Sequence, residues 1–171
     1  WSDTAQLSVY LPDYHAAIDA AAHAKVKGSE MISELYVPRE KLADFMRLAA
    51  EDFRRNKTNV IYGTVRLIEA DKETALPWAK SNFAAIVFNL HVDHDAEGID
   101  RAKKEFQLLI KRALSLGGNY YLTYHRWATP DQVREGYPEM ESFLESKRHY
   151  DPQEVFTSDW YRAMKKALAS H

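Results

Sequence analysis

Glu34, Thr64, Arg66, Asn89, His91 and Tyr124 are the residues of this chain whose types and spacing could do chemistry together. Glu34, Thr64, Arg66, Asn89 and His91 lie in stretches of alternating polar and apolar side chains, and alternation puts them on one side of a sheet. Arg66 beside Asn89 and Glu34 brings a charged fork of donors, an amide and a carboxylate to one patch. Such convergence orients a polar ligand. Tyr36, Tyr62, Tyr124 and His91 add amphipathic side chains, which suit a covered, wet surface better than a solvent face. The rival reading is that an antiparallel sheet simply turns its polar side to water.

Other reactive types are excluded or weaker. There is no Cys, which rules out thiolate catalysis, disulfides and cysteine-based zinc sites. His91 and His94 have a spacing seen in metal ligands, but on a strand they face opposite ways, and no metal is expected. His15, His23, His149 and His171 read as surface residues. Lys103-Lys104, Lys111-Arg112 and Lys165-Lys166 read as solvated helix faces. Trp127 and Trp160 read as core or interface anchors.

The elements that must position the six residues follow from periodicity. Met31 to Val37 is extended, and Pro38 fits the first turn of a helix. Leu42, Phe45, Met46, Ala49 and Phe53 then fall at helical spacing. Val60–Glu69 and Phe83–Val92 read as strands, joined by a polar connection containing Pro77. Asp95–Leu116 is a second helix, which Gly117-Gly118 stop. Tyr120–Tyr124 reads as a fourth strand. The order β-α-β-β-α-β predicts an α+β fold of the ferredoxin-like, split βαβ kind: a four-stranded antiparallel sheet with helices on one face. Leu35, Val37, Val65, Leu67, Phe88, Leu90, Val92 and Tyr121 are expected under the helices. Thr129-Pro130-Asp131-Gln132 announces a capping box, Pro138 a further helix, and Ser158 or Asp159 the cap of a last one.

The 171 residues suffice for one domain that buries its own core. The expected division is a connector with a short helix from Tyr14 to Ala24 (residues 1–30), the sheet domain (31–125) and a helical extension of it (126–171). A net charge of -2 gives no reason to expect a nucleic-acid partner, and no apolar run is long enough to span a membrane. The expected compartment is the cytoplasm. A chain that starts at Trp1 reads as a processed product or fragment.

The run from Gly117 to Trp127 (Gly-Gly-Asn-Tyr-Tyr-Leu-Thr-Tyr-His-Arg-Trp), then Tyr137-Pro138, Tyr150-Asp151-Pro152 through Phe156, and Ser158-Asp159-Trp160-Tyr161, resembles the C-terminal end of FAD-linked oxidases of the vanillyl-alcohol-oxidase type. Within that type it is most similar to the aldonolactone and sugar-alcohol oxidases and the decaprenylphosphoryl-ribose oxidase. Glu34 to Glu40 resembles the start of the same domain. The resemblance implies a ferredoxin-like domain whose open sheet face lies over the flavin ring and forms the substrate pocket. It places pocket positions at Thr64, Arg66, Asn89 and His91. On the fourth strand, where the family often has Lys, this chain has Tyr124, a neutral hydroxyl in place of a charge.

The expectation that follows is the substrate-binding domain of an FAD-dependent oxidoreductase acting on a small, polar, hydroxyl-bearing substrate. Arg66, Asn89, Thr64 and Glu34 would hold substrate oxygens; His91 would take the hydroxyl proton with Tyr124 or Glu34 assisting, unless the base lies in another domain. FAD itself would be bound mainly by a separate FAD-binding domain of the same protein, and self-association is compatible with this reading. Two alternatives stay open: a stand-alone ferredoxin-like small-molecule enzyme, and a non-catalytic interaction module.

Overall fold

The computed structural model describes residues 20 and 24–169. The helix expected over Tyr14–Ala24 therefore lies almost wholly outside the described residues, as do His15, His23 and His171. Four strands form one antiparallel sheet: β1 (Gly28–Pro38), β2 (Val60–Ile68), β3 (Phe83–Asp93) and β4 (Asn119–Tyr120). Their spatial order is β2-β3-β1-β4. Between β1 and β2 runs helix α1 (Leu42–Asn56), entered through a 3-10 turn at Arg39–Lys41, and between β3 and β4 runs α2 (Ala96–Ser115). The tail adds α3 (Pro130–Gly136), α4 (Met140–Tyr150) and α5 (Asp159–Leu168). The fold is α+β.

Local chemistry accounts for the boundaries. Lys57 ends α1 in the left-handed region. Asp95 caps α2 by accepting from the Gly98 N–H at 2.6 Å, and Gly117, with φ of 77°, turns the chain out of it as a glycine does without steric cost. Thr129 and Gln132 form the reciprocal capping box of α3, and Ser158 caps α5.

Strand β3 is the spine of the sheet. It pairs with β1 over its whole length and with β2 on its other edge. On one side Leu35, Val37, Ile86, Phe88, Leu90 and Val92 pack with Phe45 and Ala49 of α1 and Phe106, Leu109 and Ile110 of α2. Val133, Tyr137, Met140, Tyr161 and Met164 of the tail join the same cluster. Gln132 ties the tail to α2 through a bond to the Gln107 carbonyl at 2.7 Å, and Trp160 donates to the Leu122 carbonyl at 3.0 Å. Trp127 is partly buried against the core, in keeping with an anchoring role.

Four expectations are corrected. Strand β1 starts at Gly28, three residues before Met31. Strand β4 ends at Tyr120 and does not reach Tyr124. Because Tyr120 pairs with Leu35, it and not Tyr121 faces the helices; Tyr121 packs with Tyr36 and Phe83 on the other side. Val65 and Leu67 do point to the helix side, opposite Ile86 and Ala84, yet they stay 47% and 66% exposed. They lie on an edge strand, and α1 packs its rings inward on Phe88 of β3: Phe53 at 5.0 Å and Phe45 at 6.4 Å between centroids.

Candidate functional site

The sheet face away from α1 and α2 divides into two parts. At one end Tyr36, Ala79, Phe83 and Ala85 make a small apolar cluster with Ile68 and Tyr121. Trp78, from the β2–β3 connection, lies 5.0 Å from the Tyr36 ring. Tyr36 is therefore fully buried rather than part of a wet surface. Its hydroxyl is among the buried polar atoms with no hydrogen-bond partner. Burial first, and then the nearby Glu34 charge, push its pKa far up.

The polar part begins one pair further along. Glu34 of β1 stands opposite Val87 of β3, and Thr64 of β2 stands on the other flank of the same Val87. Arg66 Nη2 donates to Glu34 Oε1 at 3.0 Å; the carboxylate side chain is 8% exposed and the arginine 58%. One charge is thus buried while its partner reaches into the open. Tyr124, in the loop after β4, lies near enough for the Glu34 charge to act on it. Its partial burial, then the Glu34 charge, raise the pKa of its hydroxyl. It is a neutral donor at ordinary pH. The tilted Tyr121 ring, 4.7 Å away between centroids, supports it.

Asn89 is one step along β3, opposite Ile32. Its amide donates to Glu30 Oε2 at 2.6 Å, and its own carbonyl oxygen is buried with no partner. Tyr62 pairs across from it on β2 and is 50% exposed. His91 is a further step away, opposite Glu30. Its ring lies over the Cα of Gly28, where any Cβ would collide with it, and Nε2 is 3.5 Å from Asp93 Oδ1. Val87 and His91 are four residues apart, about 13 Å along a strand.

The structure therefore brings Glu34, Thr64, Arg66 and Tyr124 together, sets Asn89 beside them, and separates His91 from them. His94 leaves the sheet and contacts Ser29 Oγ at 2.8 Å. Among the described residues no group of three His, Asp or Glu could hold a metal ion. An extended stretch beginning at Met31 leaves Glu30 out of the expected site; with Gly28 as the first residue of β1, the same alternation puts Glu30 in line with Glu34.

In comparisons with known proteins, no family model matches the chain, and no curated protein matches it significantly.

Proposed function

We propose that this chain is the substrate-side domain of a flavin-dependent oxidoreductase that oxidises a hydroxyl-bearing carbon. The observation that carries the reading is the Glu34–Arg66 pair with the Tyr124 hydroxyl: a buried carboxylate, an exposed guanidinium and a neutral donor on one open sheet face. Arg66 keeps free N–H groups for a substrate oxygen, and Tyr124 and Thr64 offer hydroxyls on either flank. On this face Glu34 is the proton acceptor within reach of a hydroxyl so held. His91 lies too far along β3 to share a small substrate with Arg66, which moves it from the chemistry to the rim.

The described residues do not fit the dinucleotide itself. A phosphate cradle needs successive backbone N–H groups turned to one point. Gly117 is instead a helix stop, Gly118 is packed against the Tyr36 carbonyl, and Gly63 lies in the exposed edge strand β2. FAD is accordingly assigned to a separate domain, where it would supply the hydride acceptor. A second reading, an interaction module, draws on β2, where Ile61, Tyr62, Val65 and Leu67 are all exposed.

Visible absorbance tests the assignment. The 171-residue chain alone is expected to purify folded and colourless, while the polypeptide that carries it together with its flavin domain is expected to be yellow. Stoichiometric flavin on the chain alone, or none on the longer polypeptide, would overturn the reading.

A further inference from the structure

A cavity lies at the end of the sheet opposite the apolar Tyr36 cluster, between the end of β3 and α2. It has a volume of about 460 Å³ and is bounded by the turn after α1, the end of β3 and the first turns of α2. That volume falls in the range of small-molecule sites, roughly 300–1,000 Å³. Leu90, Val92 and Ala102 give it an apolar wall, and Thr58 and Glu105 contribute polar atoms.

Glu105 is the anomaly. It is 6% exposed, it lines the cavity, and its Oε2 is buried with no hydrogen-bond partner. Thr58 Oγ1, on the same lining, is also buried and unpartnered. A carboxylate taken out of water needs a counter-charge or donors. Arg101, which lines the same cavity, is held by Asp93, also on the lining, at 2.8 Å and by Glu97 at 3.4 Å rather than by Glu105, and Arg112 pairs with Asp52 at 2.8 Å. Lys57, also on the lining, forms no ion pair with Glu105 among the described residues.

We propose that this cavity binds a small aliphatic primary amine in its ammonium form, with Glu105 as the counter-charge. An ammonium brings one positive charge and three donors. Small turns of the two side chains toward the cavity bring one donor to the Glu105 carboxylate and a second to the Thr58 hydroxyl. The aliphatic body then lies along Leu90, Val92 and Ala102. A neutral hydroxyl in the same place would leave the buried charge unbalanced, so the site discriminates by charge. The cavity lies at the end of β3 away from Arg66 and shares with the polar face only His91, at its rim, and the proposal stands whether or not the oxidoreductase reading does.

The test is amide NMR of the ¹⁵N-labelled full chain titrated with 1,4-diaminobutane, with 1,4-butanediol and sodium chloride at matched ionic strength as controls. The diamine is expected to give saturable shifts at residues 56–59 and 98–105, and the diol and salt are not. Glu105→Gln keeps the size of the side chain and removes the charge. It is expected to leave the remaining spectrum intact and weaken diamine binding on the order of tenfold or more. No saturable shift with the diamine, equal shifts with the diol, or unchanged diamine binding in Glu105→Gln would each overturn the proposal. Thr58→Val, whose methyl replaces the hydroxyl, guards against an unfolded variant: it is expected to weaken the diamine by a smaller factor, and an unchanged affinity would remove Thr58 from the site.

Discussion

Glu34 and Glu105 are both carboxylates with less than a tenth of their surface exposed, and they differ in what meets them. Arg66 pairs with the first and Tyr124 lies near it, whereas nothing described meets Oε2 of the second. Alternation in the sequence placed Glu34 correctly because a strand has two sides; no periodicity reveals whether a helix residue such as Glu105 finds a partner. His125 shows the same limit. Its ring packs on Phe106 at 4.1 Å and Trp127 at 5.3 Å between centroids, and Nδ1 is buried with no partner. Burial pushes its pKa down to about 4, against about 6.5 for a free side chain. The unfolded chain thus binds a proton that the folded chain refuses. His125 imposes no loss above pH about 6.5, and stability falls as pH drops from there to about 4, by up to roughly 3 kcal/mol. Urea unfolding across that window is expected to show the fall, and His125→Phe is expected to flatten it. An identical pH slope in the variant would show that other groups carry it.

Among the elements, β2, β3 and both long helices were legible because their periods are clean, and α2 also because Asp95 and Gly117 bound it; the left-handed Lys57 that ends α1 carries no such signal. Coverage was not legible. Parity assigns Val65 and Leu90 to the same side of the sheet, and says nothing of how far α1 extends over the edge. Leu90 is 2% exposed and Val65 is 47%. Leu90→Asp is therefore expected to unfold the domain, since an unpaired buried carboxylate costs several kcal/mol. Val65→Asp on the exposed edge is expected to cost less than about 1 kcal/mol. Circular dichroism with denaturant titration separates them, and equal loss in both would mean that β2 is covered in solution. Strand β4 is shorter than its residue types suggest for a related reason. Tyr121, Leu122 and Tyr124 have strand-like types, but the chain after Tyr120 is held by the tail: Tyr137 donates to the Tyr120 carbonyl and Trp160 to that of Leu122.

At the scale of the whole molecule, one sheet separates two chemistries. Its helix side carries the core, with the cavity at Glu105 at one end of the sheet; its other side carries a small apolar cluster and then the polar patch around Glu34. Among the described residues no helix is long and apolar enough to cross a membrane. The α+β architecture was readable in advance, and so was the side of the sheet that holds Arg66. The separation of His91 was not: a shared face looks like a shared site until register is known, and two paired positions along a strand exceed the reach of a small substrate. On the proposed function, the face around Arg66 receives the hydroxyl-bearing substrate while flavin is held elsewhere. Anaerobic stopped-flow reduction of the flavin, in the polypeptide that carries both domains, measures this directly. For Arg66→Ala the account predicts unchanged flavin content and a substrate concentration for half-maximal reduction raised about 10- to 100-fold, as loss of charged hydrogen bonds worth about 1.5–3 kcal/mol requires. A reduction rate with the wild-type dependence on substrate concentration in Arg66→Ala would contradict it.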